Sequence, residues 1–273
     1  MSSEGKEKLI PAATIMLVRN GPEGLEVFMV VRHHQIDFAS GALVFPGGKV
    51  DPRDTHESVR GRVDGAMGLD DFEFAMRVAA IREAYEECGV LLARAEGADA
   101  LIDAARLAAL EPHRDALNKG EIGIGDMLAG ERLRLAADLL TPFAHWITPN
   151  MMPKRFDTRF YVAMAPEDHL AVHDGSESVD SVWIRPADAV REAEEGKRTI
   201  IFPTRVNIQK LGRHADVADA IETARGARIV TVLPQVTKND AGAPVLRIPA
   251  EADYDVTEEP LSAVAGAAKP KAG

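Results

Sequence analysis

Hydrophobic and polar positions mark out elements of two periods along the chain. Ala13 to Val18 and Leu25 to Val31 are short apolar runs rich in Val and Ile, separated by Asn20-Gly21-Pro22-Glu23-Gly24. The intervening residues have turn chemistry, so the two runs predict a β-hairpin. From Asp71 to Gly89 the pattern is helical. Asp70 with Glu73 three residues on resembles a capping box, and Gly89 sits where a left-handed C-cap belongs. Residues 156–164 alternate Phe156, Thr158, Phe160 and Val162 against Asp157, Arg159 and Tyr161, which predicts a strand. Further strands are expected at Ser181 to Ile184, Ile229 to Leu233 and Val245 to Ile248, with a helix over Pro186 to Glu195 and another between Pro203 and Arg228.

The segments between these elements are less regular. Lys49 to Gly68 is polar and acidic and reads as a loop. Residues 97–140 alternate Ala/Leu stretches with breaks at Pro112 and Gly120 to Gly125, which suggests several short helices. From Glu258 the Ala/Pro/Lys/Gly composition predicts a disordered tail. Interspersed strands and helices give a mixed α/β class.

Composition narrows the partners. The 32 Lys+Arg against 43 Asp+Glu leave a net charge of −11, which excludes a general nucleic-acid or anionic-membrane binder. Anionic small molecules stay open, because a divalent metal brings phosphates to an acidic site. One cysteine, Cys88, permits no intrachain disulfide; it reads as a buried small thiol. No apolar run approaches the roughly 18 residues of a membrane span, and the first ten residues lack the charged-then-apolar order of a signal peptide. The expected location is the cytoplasm.

The chemistry concentrates at the end of the helix. Wound at about 100° per residue, Glu83, Glu86 and Glu87 share a sector of roughly 100°, while Ile81, Ala84, Tyr85 and Cys88 lie opposite. Three carboxylates near a helix C-terminus repel one another and meet the negative end of the dipole. A hard divalent cation such as Mg2+ would neutralise them and share them with substrate phosphates; a solvated charged surface helix is the competing reading.

Gly48, Asp54 and then Arg82-Glu83-Ala84-Tyr85-Glu86-Glu87-Cys88-Gly89-Val90 resemble the Nudix box, and Phe45-Pro46-Gly47-Gly48 before it is typical of that family. The Arg82–Val90 half matches at every defined position. Asp54 stands where the family usually has Glu, and the 27 residues between Asp54 and Arg82 exceed the family spacing by about twenty. Such an interrupted box, with Trp146-Ile147-Thr148-Pro149 and Arg155-Phe156-Asp157-Thr158-Arg159-Phe160, is similar to the Nudix branch of the peroxisomal acyl-coenzyme A diphosphatase and its bacterial relatives. The likeness runs from about Ala12 to Leu211.

The resemblance implies an α/β/α sandwich around a mixed sheet, with an insertion at about 49–70 and a helical excursion at about 97–140 within a domain at 12–211. Residues 1–11 would be a flexible N-terminus, 212–257 an extension packed on the domain and 258–273 a disordered tail. It implies a Mg2+-dependent hydrolase (Mn2+ as the substitute) that uses metal-activated water on a nucleoside diphosphate derivative, with coenzyme A or acyl-coenzyme A preferred. ADP-ribose, a dinucleotide or another nucleoside diphosphate is the alternative substrate. A non-catalytic ligand-binding regulator and a helical interaction module at 97–140 are alternatives of other classes.

Glu83, Glu86 and Glu87 would be the metal ligands, and Arg82 the ion-pairing arginine that orients them. Glu177 is a candidate for an added ligand or general base, with an ordinary loop carboxylate as the competing reading. Gly47 and Gly48 either let backbone approach the phosphates or form a plain tight turn. Arg32, Arg155 and Arg159 are candidates for bidentate phosphate contacts or ordinary surface ion pairs. His145-Trp146 reads as an anchor between helices and sheet. The insertion and the excursion are expected to form a lid or a homodimer contact.

Overall fold

The computed structural model describes residues 9–32, 41–169 and 178–267. It opens with the expected hairpin, β1 (Ile10–Gly21) and β2 (Gly24–Arg32), followed by β3 (Leu43–Val44) and β4 (Gly47–Lys49). A 3-10 turn at Pro52–Thr55, α1 (Glu57–Arg60) and β5 (Val63–Asp64) lead into the long helix α2 (Asp71–Cys88). Then come β6 (Ala93–Ala95), α3 (Ala104–Ala109), α4 (Glu111–Asn118), α5 (Ile124–Glu131), β7 (Leu133–Ala136), β8 (Thr141–Ile147), β9 (Phe156–Met164) and β10 (Ser178–Ile184). Helices α6 (Pro186–Glu194), α7 (Phe202–Leu211) and α8 (Val217–Gly226) precede β11 (Thr231–Val232), β12 (Gln235–Lys238), β13 (Pro244–Arg247), β14 (Glu258–Pro260) and α9 (Leu261–Ala267).

The main sheet runs β10-β2-β1-β9-β8-β11, with β3 on β2 and β4 on β1. It is mixed: β1 pairs parallel with β9, and antiparallel with β2 and β4. The period-2 pattern sends alternate side chains to opposite faces. Ala13, Ile15, Leu17, Tyr161 and Ala163 enter one core with α2, whereas Met16, Val18, Phe160 and Val162 enter a second with α7 and α8. The sheet is thus the middle layer of an α/β/α sandwich. Trp146 lies in the second core, edge-on to Phe202 and Tyr254, and its Nε1 donates to the Tyr254 hydroxyl at 2.9 Å. Among the described residues no helix is long and apolar enough to cross a membrane.

Three expectations are corrected. The stretch from Lys49 to Gly68 is folded rather than a loop. Asp51 caps the 3-10 turn, Asp54 and Val59 are fully buried, and β5 joins β7 and β6 in a small sheet. The helix expected between Pro203 and Arg228 is two helices: α7 ends at Gly212, and Asp216 caps α8 by accepting from the Asp219 amide. The tail expected to be disordered from Glu258 supplies β14, which pairs with β13. Glu258 and Glu259 meet Arg247 and Arg205 there, and these ion pairs fix the start of the segment whose Ala/Pro/Lys/Gly composition suggested disorder.

Candidate active site

Helix α2 sets the geometry. Asp70 accepts from the Glu73 amide at its start, and Gly89 ends it at φ +68°, a conformation that suits a residue without Cβ. The helix crosses the sheet and is buried on nearly every side, so its carboxylate sector faces protein rather than bulk water. No basic residue lies in its last turn. Positive charge arrives from α4 instead: Arg114 Nε donates to the Glu86 carbonyl at 3.0 Å, a carbonyl the helix end would leave without a partner. In return Tyr85 Oη of α2 donates to the Leu110 carbonyl at 2.6 Å.

Glu83, Glu86 and Glu87 converge on Arg82 and the Gly47–Gly48 strand. Arg82 Nη1 donates to Glu83 Oε1 at 2.8 Å and to Glu86 Oε2 at 2.9 Å. Its Nε and Nη2 grip the two oxygens of Asp54 at 2.9 and 3.1 Å, and Nη2 also reaches the Lys49 carbonyl. The Gly47 amide donates to Glu87 Oε2 at 2.8 Å. A Cβ on Gly48 would lie 2.5 Å from the Glu83 carboxylate, so glycine is what allows the strand to approach that group.

Electrostatics follow from burial. Desolvation pushes the Glu83 carboxyl up to about 7; Arg82 opposes the rise and Glu86 adds to it. Burial likewise raises Glu86 and Asp54 against the pull of Arg82. For Arg82 itself burial favours the neutral form, but Asp54, Glu83 and Glu86 together outweigh it and hold the guanidinium charged. One guanidinium thus serves three carboxylates, and the cluster retains an excess of negative charge.

That excess bears on the metal the box implies. Among the described residues no three carboxylate, imidazole or thiol groups stand ready-made around one point, because the glutamates turn toward Arg82 and the Gly47 amide. The donors are nonetheless hard oxygens on one helix end, incompletely neutralised, with Gly48 leaving room beside Glu83. In chemistry, this donor set suits a hard divalent cation.

The other predicted residues are not joined to this cluster by any hydrogen bond or ion pair among the described residues. Arg159 pairs with Glu73 at 3.0 Å and lies over Phe72, holding the start of α2 to β9. Arg155 Nε donates to the Thr148 carbonyl. Glu177 and the Arg32 side chain lie outside the described residues.

Sequence reasoning left unassigned how Asp54 would reach Arg82 across the long spacing. Asp51-Pro52-Arg53-Asp54 is itself a capping box with proline at the first position, and it carries that information. Asp51 accepts from the Arg53 amide, while Asp54 accepts from the Asp51 amide. This short turn aims Asp54 inward, so the added residues enter after the acidic position and leave the Arg82 contact intact. Beside it opens a cavity of about 280 Å3, lined by Asp51, Arg53, Asp54, Arg82, Glu86 and residues from the end of α4 to the start of α5.

Comparison with known proteins bears on the fold and the family. A crystal structure of a NUDIX hydrolase from Alicyclobacillus acidocaldarius superposes with a TM-score of 0.63 at 28% identity, over 79% of this chain and 96% of that one. The Caenorhabditis elegans protein named "Putative nudix hydrolase 7" is 30% identical over 192 residues, 70% of this chain and 57% of the relative. Acyl-coenzyme A diphosphatase NUDT19 of Xenopus laevis is 20% identical over 239 residues, 73% of this chain and 63% of the relative. The chain thus spans less than two thirds of the length of either curated relative. The model of the NUDT19 Nudix domain matches residues 62–211, more than half of the sequence, and the chain belongs to that family.

Proposed function

We propose that this chain is a divalent-metal-dependent hydrolase that cleaves the diphosphate linkage of a nucleoside diphosphate derivative, with coenzyme A or an acyl-coenzyme A as leading substrate. The observation that carries the reading is the set of three glutamates at the end of α2, Glu83 and Glu86 held by one buried arginine and Glu87 by the Gly47 amide, against a glycine strand beside an open cavity. A binding domain without catalysis has no use for so costly a cluster of carboxylates. The name of the Xenopus laevis relative favours the coenzyme A class.

Glu83, Glu86 and Glu87 would hold Mg2+, with Mn2+ as a substitute. When bound, the cation lowers the pKa of water and offsets charge growing on the phosphoryl oxygens. Arg82, itself held by Asp54, anchors one oxygen each of Glu83 and Glu86, and the Gly47 amide anchors one of Glu87, so cation binding would draw together carboxylates already held at the end of α2. Glu177 is proposed, from its sequence position, as the added ligand or general base.

The test is a substrate panel in Mg2+, with products identified by mass spectrometry. It contains coenzyme A, acetyl-coenzyme A, ADP-ribose and a diadenosine polyphosphate. Turnover of the coenzyme A pair with cleavage between the two phosphorus atoms supports the reading. Preference for ADP-ribose or the dinucleotide replaces the substrate assignment, and no turnover of any member overturns the hydrolase.

A further inference from the structure

The last turn of α2 loses a helical donor where its carboxylates are concentrated. The Gly89 amide donates to the Tyr85 carbonyl at 3.0 Å, and the Val90 amide donates to the Ala84 carbonyl at 3.2 Å. In an unbroken helix the Val90 amide would serve the Glu86 carbonyl, so the left-handed turn at Gly89 takes that donor away. The carbonyl left over belongs to a member of the carboxylate cluster, whose side-chain Oε2 accepts from Arg82 at 2.9 Å.

Helix α4 supplies the replacement. Leu110, Arg114, Leu117 and Asn118 fall at helical spacing on one face, and Leu110 and Leu117 are buried in the core shared with α2. These two anchors bring Arg114 Nε to 3.0 Å from the Glu86 carbonyl, with Asn118 Nδ2 as a longer contact at 3.4 Å. The Arg114 side chain is 11% exposed, and the guanidinium also lies over the cap itself: a Cβ on Gly89 would stand 3.2 Å from Nη1. Its charge therefore faces the negative end of α2. The far end of α4 is fixed as well. Arg53 Nη1 donates to the carbonyls of Gly120 and Ile122, at 3.1 and 3.0 Å, from the turn that carries Asp54. One short helix thus joins the backbone of Glu86 to the turn whose Asp54 grips Arg82.

We propose that α4 is a positioning element for the carboxylate site and that Arg114 is the residue through which it acts, holding the Glu86 carbonyl so that the Glu86 side chain keeps its aim. The assignment rests on the reading of the α2 glutamates as the metal holder and gives the helical excursion a role in that site. Glu86 is then held at both ends, its main chain by Arg114 and its carboxylate by Arg82. Freeing the main-chain end lets the last turn fray and displaces the carboxylate it carries, and a misplacement of about 1 Å costs on the order of 100-fold in turnover.

The test compares wild type with Arg114→Met, Arg114→Lys and Tyr85→Phe by Mn2+ titration of metal-free protein, by kcat and KM in saturating Mn2+, and by melting. Tyr85→Phe is the control, because it removes the hydroxyl that donates to the Leu110 carbonyl and loosens the same two helices without touching the Glu86 carbonyl. In Arg114→Met, Mn2+ affinity and kcat should each fall about tenfold while KM stays within about twofold. Arg114→Lys, which keeps a charged donor, should recover both to within about threefold of wild type. Tyr85→Phe should lower Tm yet bind Mn2+ and turn over as wild type does. Wild-type Mn2+ affinity and kcat in Arg114→Met, or equal losses in Tyr85→Phe, overturn the proposal, since either result makes the contact merely structural. Should Arg114→Met not fold, Asn118→Ala decides: Mn2+ binding weaker by about threefold supports the positioning role, and unchanged binding overturns it. The hydrolase reading fails separately. A wild type that turns over no nucleoside diphosphate derivative, but whose Mn2+ affinity still depends on Arg114, keeps the positioning role and loses the reaction.

Discussion

Replacing Arg82 by methionine isolates the interaction on which the site is built. The guanidinium is 9% exposed and makes five hydrogen bonds, four of them to the carboxylates of Asp54, Glu83 and Glu86. Removing one partner from a buried pair costs about 3–5 kcal/mol, since the charge left behind stays desolvated. For a chain of this size that is a fall in Tm on the order of 10 °C. The stranded carboxyls can escape by taking up protons, which fixes the pH dependence. Glu83 already sits at about 7 with Arg82 present, above its ordinary 4.5, so between these values the folded chain holds a proton that the unfolded chain releases. Stability from this group is therefore complete below about pH 4.5 and is lost as pH rises through 7. In Arg82→Met the folded values climb further, and each unit adds about 1.4 kcal/mol. Calorimetric melts of metal-free protein should show the full deficit at pH 8 and a clearly smaller one at pH 5.5. A deficit below about 1 kcal/mol at pH 8, or one independent of pH, would refute the reasoning.

Three further outcomes follow from single contacts. Gly48→Ala places a Cβ 2.5 Å from the Glu83 carboxylate, and a ligand displaced by about 1 Å should cost on the order of 100-fold in turnover while the Tm moves little; wild-type kinetics in that variant would show that Glu83 need not stay where it is. Gly89→Ala forces a side chain into the left-handed cap at φ +68° and should lower unfolding free energy by about 1–2 kcal/mol in urea titrations. Tyr254→Phe removes the acceptor of Trp146 Nε1 and the donor to Asn207 Oδ1, two buried bonds that join the C-terminal region to the sheet; the expected loss is about 1–3 kcal/mol by the same titration.

Long periodic elements were legible in the sequence because pattern and end signals agreed. The strand at 156–164 has the expected bounds, and α2 begins at its capping aspartate and ends at its glycine. The carboxylate sector could also be read from spacing, but its surroundings could not. The pattern left a solvated charged surface helix open as the competing reading, whereas the helix is buried on nearly all sides, because the elements that cover it are short. The strands β5, β6 and β7 have two to four residues each, too few for a period to register. Their stability comes from packing, as where α1 and α5 approach so closely that a Cβ on Gly125 would lie 2.2 Å from Ser58 Oγ. Composition also misled: the Ala/Pro/Lys/Gly stretch from Glu258 suggested a disordered tail, yet Glu258 and Glu259 are ion-paired at its start, and of the two readings left open for Arg159 the structure shows an ion pair with Glu73. Sequence shows which charges exist, whereas partners separated by fifty or more residues are supplied only by the fold.

Titration of Mn2+ into metal-free protein, followed by the loss of the free-ion electron paramagnetic resonance signal, tests the central claim most directly. Saturable binding to the wild type, weakened about 10- to 100-fold in both Glu83→Gln and Glu86→Gln with melting curves retained, is the predicted result. Isotherms that coincide for all three proteins would contradict the assignment of the α2 carboxylates as the metal holder.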